Sequence, residues 1–369
     1  MLDQLIKWRR HLHQIPEIGL KEYKTAKYIH QELETMGYQW EPILETGTYV
    51  YIDNNKKDTI AFRSDIDALA IKECNDIDYQ SKHVGMMHAC GHDGHMSALL
   101  GLAHKLKTSQ ADLPHNILLL FQPAEESPGA ARFIVETGLF EKYNVKEIYG
   151  MHLMPFLDEG IIATKKGPLM AMCGELDVKI IGKSAHAGLA HKGIDSIVIA
   201  SHAIQMYQDL LSRRISPFQS TVLNIGQING GTVRNGVAGE TEYHGTVRCF
   251  DENTFNELTN AIGNIHNGLK SIYGCDIEWS CPPLYPPVLN DSHLFDKFKK
   301  VVDNFVELNE PLMLAEDFSY YQKAIPGLFF FLGTKSNQYS NGLHTETFNF
   351  DEKVLLKAVN IYYQLALSY

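Results

Sequence analysis

Apolar positions recur every three or four residues through Leu5, Ile6, Trp8 and Leu12, the period of a helix with one buried face, and Pro16 stops it. The same period covers Tyr23–Met36 and ends at Gly37, a favoured C-terminal stop. The pattern then changes. Thr48–Ile52 and Thr59–Phe62 have strand character, Asn116–Phe121 is a continuous apolar run suited to burial on both faces of a sheet, and Lys146–Met151 is a further strand. Helical stretches over Ala98–Leu106, with Asp93 placed as a cap, and Ala130–Glu136 alternate with these strands. That alternation predicts an α/β fold around a mixed, mostly parallel sheet flanked by helices.

After about Met172 the rhythm differs. Leu176–Ile181, Thr221–Ile228, Glu240–Phe250 and Asp276–Trp279 are strands, and Ile194–Leu211 and Glu252–Tyr273 are helices. The order β-α-β-β-α-β is that of a ferredoxin-like unit. Pro282-Pro283 and Pro286-Pro287 mark a return to the first body, completed by a helix near Phe295–Phe305, a strand at Leu328–Leu332 and a final helix over 351–367. The expected domains are 1–172 with 284–369, and an insert of 173–283.

Bulk properties narrow the function. A chain of 369 residues, 44% hydrophobic and 21% charged, has ample material for a large core. Its net charge of −11 argues against nucleic acid or anionic membrane as the main partner. The first ten residues lack the apolar core of a secretory signal, and no run is long enough to span a bilayer. Six scattered cysteines without a CxxC pair indicate reduced thiols and a cytoplasmic location.

The chemistry concentrates in His88-Ala89-Cys90-Gly91-His92-Asp93-Gly94-His95. A thiolate and imidazoles at this density suit zinc-like metals, with Ni, Co or Mn open if carboxylates join. Asp65 and Asp67 follow the strand ending at Phe62, Glu125 and Glu126 follow the strand ending at Phe121, and His152 follows the strand ending at Met151. Sites in open parallel sheets form beyond the carboxyl ends of strands, so these groups converge on one crevice. Of the adjacent glutamates, one can hold metal while the other acts as general base. From the pair alone, they equally open the next helix. Asp67 is placed either to orient a metal ligand or the base, or simply to close a turn. His344 is a lone histidine that only the fold can bring to the crevice. Arg9-Arg10-His11-Leu12-His13 has the look of a solvated helix face. The glycine-rich segments 182–188, containing His186, and 230–236, containing Asn235, are turns that also permit close approach to a ligand.

The ordered set Arg9–Glu17, Arg63–Leu69, Met87–Asp93, Gln122–Glu126, Glu316–Tyr321 and Leu343–Thr345 resembles the aminoacylase/dipeptidase superfamily of dinuclear metallohydrolases. It is most similar to the amidohydrolase branch of hippurate hydrolase, N-acetyldiaminopimelate deacetylase and indole-acetyl-amino-acid hydrolases. The resemblance implies Cys90, His92, Glu126, His152 and His344 as ligands to two divalent ions, with Cys90 bridging. It implies Glu125 as general base and Asp67 as support for the cluster. His186 and Asn235 match substrate-facing residues of a lid, and with them a homodimer built through the insert. Peptidases of the superfamily carry His at the position of Asp65 and an acidic ligand at that of Cys90, which favours amides of amino acids over peptides.

The expected activity is hydrolysis of an N-acyl amino acid, such as N-acetyldiaminopimelate or a hippurate-like conjugate, to an amino acid and a carboxylic acid. A metallo-dipeptidase or carboxypeptidase shares the same site. A metal-dependent binding protein for such conjugates is the rival from outside enzymology, and it has no use for the base.

Overall fold

The computed structural model describes residues 1–109 and 112–368, and the chain divides into two compact units. One comprises Met1–Leu169, Val288–Pro311 and Asp317–Tyr369; the other comprises Met170–Pro287 with Leu312–Glu316. The architecture is mixed α/β.

The first unit is built on an eight-stranded sheet. Its order is Glu41–Ile43, Gly47–Ile52, Asn116–Gln122, Thr59–Asp65, Val145–Asp158, Gly327–Lys335, Ile162–Thr164 and Phe305–Glu307. The four strands from Asn116–Gln122 to Gly327–Lys335 pair in parallel, while Gly47–Ile52 and Ile162–Thr164 join antiparallel on either side of them. Every residue of Thr59–Asp65 and Asn116–Gln122 is buried, as the continuous apolar run requires. The helix His92–Ser109 packs against Leu2–His13 and Val354–Leu367. Gly101 permits the contact: a Cβ there would lie 2.5 Å from Val359 Cγ2 and 2.8 Å from Leu5 Cδ2. Leu5, Trp8, Leu99, Phe330, Val359 and Tyr362 belong to one buried core.

Three local expectations are corrected. The strand expected to stop at Phe62 runs to Asp65, because Asp65 still pairs with Gln122. The strand expected to stop at Met151 runs to Asp158, and His152 pairs with Phe331 within it. Asp93 does not cap a helix starting near Ala98; the helix begins at His92, and Asp93 sits in its first turn, engaged by Arg9 and His13.

The second unit has the strands Met172–Ile181, Val222–Gly230, Glu240–Cys249 and Asp276–Ser280 and the helices Ser196–Arg213 and Glu252–Tyr273, in β-α-β-β-α-β order. These strands pair antiparallel, with Val222–Gly230 next to Glu240–Cys249, then Met172–Ile181, then Asp276–Ser280. Asp195 and Asp251 cap the two helices, accepting from Val198 and Thr254 amides among others. The helices and the sheet enclose a core of Leu176, Ile180, Ile199, Tyr207, Tyr243, Leu258 and Ile262. Among the described residues, no helix is long and apolar enough to cross a membrane.

Within that core, Tyr207 joins its hydroxyl to Tyr243 at 2.7 Å and to His266 Nε2, and the Trp279 ring meets His266 edge to face. Burial, aided by Lys270, lowers the His266 pKa from 6.5 to about 4. As the pH falls through 6.5, the unfolded chain takes up a proton that the folded imidazole refuses until about 4, so acid weakens the fold across that window. Between pH 7.5 and 4.5, urea unfolding should show the wild type losing ~2–3 kcal/mol more than His266→Phe. Equal losses in the two proteins contradict this.

Candidate metal centre

The turn before the helix His92–Ser109 is made at Gly91, whose φ of +84° suits a residue without a side chain. A Cβ there would also press on Leu153 Cδ1 at 3.2 Å. This turn places Cys90 and His92, both buried, side by side. His92 Nδ1 donates to the Asp67 carbonyl at 2.9 Å, which turns Nε2 away from that carbonyl. That nitrogen is buried and has no hydrogen-bond partner among the described residues. His152 is held the same way: Nδ1 donates to the Leu153 carbonyl at 2.6 Å, and Nε2 stands 3.3 Å from Cys90 Sγ.

His344 arrives from the far end of the chain. Its amide donates to the Ala89 carbonyl at 2.9 Å and its backbone is left-handed, φ +59°. The ring Nε2 lies 3.3 Å from Cys90 Sγ and 3.3 Å from Glu126 Oε1. Glu125 and Glu126 follow Ala124, another left-handed residue, and their amides donate to the two oxygens of Asp67 at 3.1 and 3.0 Å. Asp67 therefore grips the glutamate turn through its carboxylate and His92 through its carbonyl.

Ligand atoms of Cys90, His92 and His152 lie within 4.8 Å of one another; so do those of Cys90, Glu126 and His344, and those of His92, Glu125 and Glu126. The structure thus brings together all six residues expected as ligands or base. His186 and Asn235 belong to the second unit, where they are neighbours: Gly236 pairs with His186, and the Ala187 amide donates to the Asn235 carbonyl at 3.0 Å. His88, inside the same sequence run, is buried with neither ring nitrogen hydrogen-bonded among the described residues, and burial takes its pKa down to about 3.

The electrostatics call for a cation. Burial pushes the Cys90 thiol well up, and the charges of Glu126, Glu125 and Asp65 push it further. Burial also opposes charge on His92, yet Asp65 and the bond to Asp67 lift it to about 10. His152, desolvated and beside His95, is neutral, its pKa taken down to about 3. A divalent ion held by these groups would reverse the field, favouring the thiolate of Cys90 and taking the place of a proton on His92. Sulfur, imidazole nitrogen and carboxylate oxygen, with an orphaned Nε2 in their midst, fit a borderline transition-metal ion.

Beneath the donors lie residues that sequence reasoning missed. Arg63 is fully buried and donates to Asp65 Oδ2 at 2.7 Å, Asp317 Oδ1 at 2.9 Å and Gln122 Oε1 at 2.7 Å. His95 Nδ1 donates to Asp65 Oδ1 at 2.6 Å while its Nε2 accepts the Leu153 amide at 3.0 Å, next to His152. Burial works against an ionised Asp65, but His92, His95 and Arg63 outweigh it and hold the carboxyl well below the usual range. The segment Arg9–His13 is also corrected: Arg9 and His13 are buried, not solvated. Arg9 Nε donates to Asp93 at 2.9 Å, and His13 bridges Asp93 and Glu73 at 2.8 and 2.9 Å. The available signal was phase, since Arg9 and His13 continue the spacing of Leu5.

Fold and site together define a hydrolase with a candidate metal centre. The chain belongs to peptidase family M20/M25/M40, whose model matches residues 61–368. It is 36% identical to an uncharacterized hydrolase of Staphylococcus haemolyticus, over 100% of this chain and 98% of that one. It is also 36% identical to the IAA-amino acid hydrolase ILR1-like 4 of Arabidopsis thaliana, over 100% of this chain and 86% of the relative. The crystal structure of Bacillus subtilis YXEP, described as a dinuclear metal-binding peptidase of the M20 family, superposes with a TM-score of 0.86 at 32% identity, covering 99% of this chain and 97% of that one.

Removing Arg63 leaves Asp65 and Asp317 buried without their shared cation. Arg63→Met should cost about 3–5 kcal/mol, a fall of roughly 10 °C in the thermal midpoint. An unchanged midpoint contradicts the role assigned to this ion-pair cluster.

Proposed function

We propose that the protein is a dinuclear metal-dependent amidohydrolase that splits an N-acyl amino acid into a free amino acid and a carboxylic acid. The observation that carries the reading is the glutamate pair: Glu126 shares a ligand group with Cys90 and His344, while Glu125 stands beside it at the same cluster. Cys90, His92, Glu126, His152 and His344 would hold the ions, and Cys90, whose Sγ stands 3.3 Å from both His152 Nε2 and His344 Nε2, would be shared between them. Zn, Mn, Ni and Co all suit this donor set. When bound, such ions supply positive charge that acidifies water and polarises a carbonyl.

Glu125 does the proton work. Its amide is fixed by Asp67, its Oε1 accepts from the Asp317 amide at 3.4 Å, and the residue is only 6% exposed, so the carboxylate is held in place and away from bulk water. It takes a proton from the attacking water as the C–O bond forms, then delivers that proton to the leaving nitrogen, and the C–N bond breaks to release the amine and the carboxylic acid. His152 and His92, each with Nδ1 tied to a backbone carbonyl, keep Nε2 turned inward throughout.

Amino acid conjugates are favoured because the Arabidopsis relative is named as a hydrolase of them. N-acetyldiaminopimelate is the first substrate to test. The Bacillus structure is described as a peptidase, so dipeptides form the comparison. The second unit would act as the lid, with His186 and Asn235 facing substrate and a homodimer forming through it. Exposed Ile197, Val198 and Met206 on its helix Ser196–Arg213, with Ile228 on the edge strand, support that contact. A cytoplasmic setting, in which all six cysteines stay as thiols, is part of this reading.

Chelation should abolish turnover of N-acyl amino acids and a divalent metal should restore it, with N-acyl amino acids hydrolysed faster than dipeptides. Glu125→Gln should retain full metal content while kcat falls by about 100-fold to 10,000-fold. Wild-type turnover by the Gln variant, or faster hydrolysis of dipeptides, contradicts the assignment.

A further inference from the structure

Three successive backbone amides enter the glutamate turn, and two buried carboxylates receive them. Asp67 takes those of Glu125 and Glu126; the Ala124 amide donates to Glu22 Oε1 at 2.8 Å. Ala124 has φ +51°, a left-handed conformation that costs a residue with a Cβ about 1–2 kcal/mol. The other side of this residue is pinned as well, since its carbonyl accepts the amides of Gly129 and Ala130 at 3.1 and 2.9 Å.

Glu22 is wholly buried, and its second oxygen accepts from Thr46 Oγ1 at 2.6 Å. The backbone on either side of these two residues is packed against the same turn. A Cβ on Gly19 would fall 2.5 Å from the Ser127 carbonyl oxygen and 2.8 Å from Ala124 Cβ; one on Gly47 would fall 2.7 Å from Pro123 Cδ. Segments 19–22 and 46–47 therefore form a seat for residues 123–127. A buried carboxylate is expensive to desolvate, and this one accepts from the Thr46 hydroxyl and from the amide of the strained residue. Without that acceptor, Ala124 would leave the left-handed region and the two glutamates after it would turn away from their present directions.

We infer that Glu22 is a positioning residue that locks Ala124 in its left-handed conformation and so sets the directions of Glu125 and Glu126. The inference rests on the roles proposed above for those two glutamates. Glu22 needs no proton of its own for this work. A glutamine at this place keeps an oxygen for the Ala124 amide and can donate to Thr46 Oγ1 instead of accepting from it.

The test combines steady-state kinetics with amide hydrogen exchange on the metal-loaded full-length protein. Glu22→Ala should lower kcat by about 10–100-fold with KM little changed, while Glu22→Gln stays within about 3-fold of wild type. Adding Ala124→Gly to Glu22→Ala should recover at least about 3-fold in kcat, because glycine takes this φ without help. In Glu22→Ala, peptides covering 122–127 should exchange faster while the helix Tyr23–Thr35 keeps its protection. The inference is overturned if Glu22→Ala has wild-type kcat and exchange, if Glu22→Gln is as damaged as Glu22→Ala, or if protection is lost equally along Tyr23–Thr35. Should the wild type show no metal-dependent turnover, the proposed function fails, and the exchange comparison alone still decides whether Glu22 locks the turn.

Discussion

The centre depends on hydrogen bonds made on the far side of each donor. An imidazole has two nitrogens, and only when one is tied down does the other face a fixed point. The carbonyls of Asp67 and Leu153 do this for His92 and His152, and the amide of His344 is fastened to Ala89. Asp67 extends the principle to the glutamates by gripping their backbone amides, while the Asp317 amide reaches the Glu125 carboxylate and His344 the Glu126 carboxylate. The parallel sheet makes such bonds possible, since its adjacent strands end close together and deliver Asp65, Asp67 and Glu125 to one place.

Buried charge underlies this arrangement. Arg63 sits between Asp65 and Asp317, and Arg9 with His13 surrounds Asp93, the residue next to His92. Such clusters are poor sources of net stability, but losing one partner is costly, so they hold their geometry firmly. Around Cys90 the balance differs. Carboxylates outnumber fixed cations there, and the thiol is held protonated until positive charge arrives. Metal affinity and ligand protonation are thus parts of one equilibrium.

Periodicity made the α/β class and the β-α-β-β-α-β order legible, and strand ends made Cys90, His92, Glu125, Glu126 and His152 legible as one cluster. His344 needed the family resemblance, because its contact with Cys90 crosses 254 residues of chain. The losses have physical causes. The strands run past Phe62 and Met151, where a polar residue interrupts the apolar run but backbone pairing to Gln122 and Phe331 continues. Asp93 has the composition of a cap, yet its pairing to Arg9 and His13 depends on residues about eighty positions away. Charged residues in an apolar strand or stripe, Arg63 and Arg9 alike, look solvated until their buried partners are known.

The central claim is that a sulfur from Cys90 completes a metal-binding cluster with three imidazoles and a glutamate. X-ray absorption at the metal edge of the loaded protein measures this directly. For zinc, a sulfur shell near about 2.3 Å should accompany the nitrogen and oxygen shell and disappear in Cys90→Ser. A spectrum containing nitrogen and oxygen alone, unchanged by that substitution, contradicts the account.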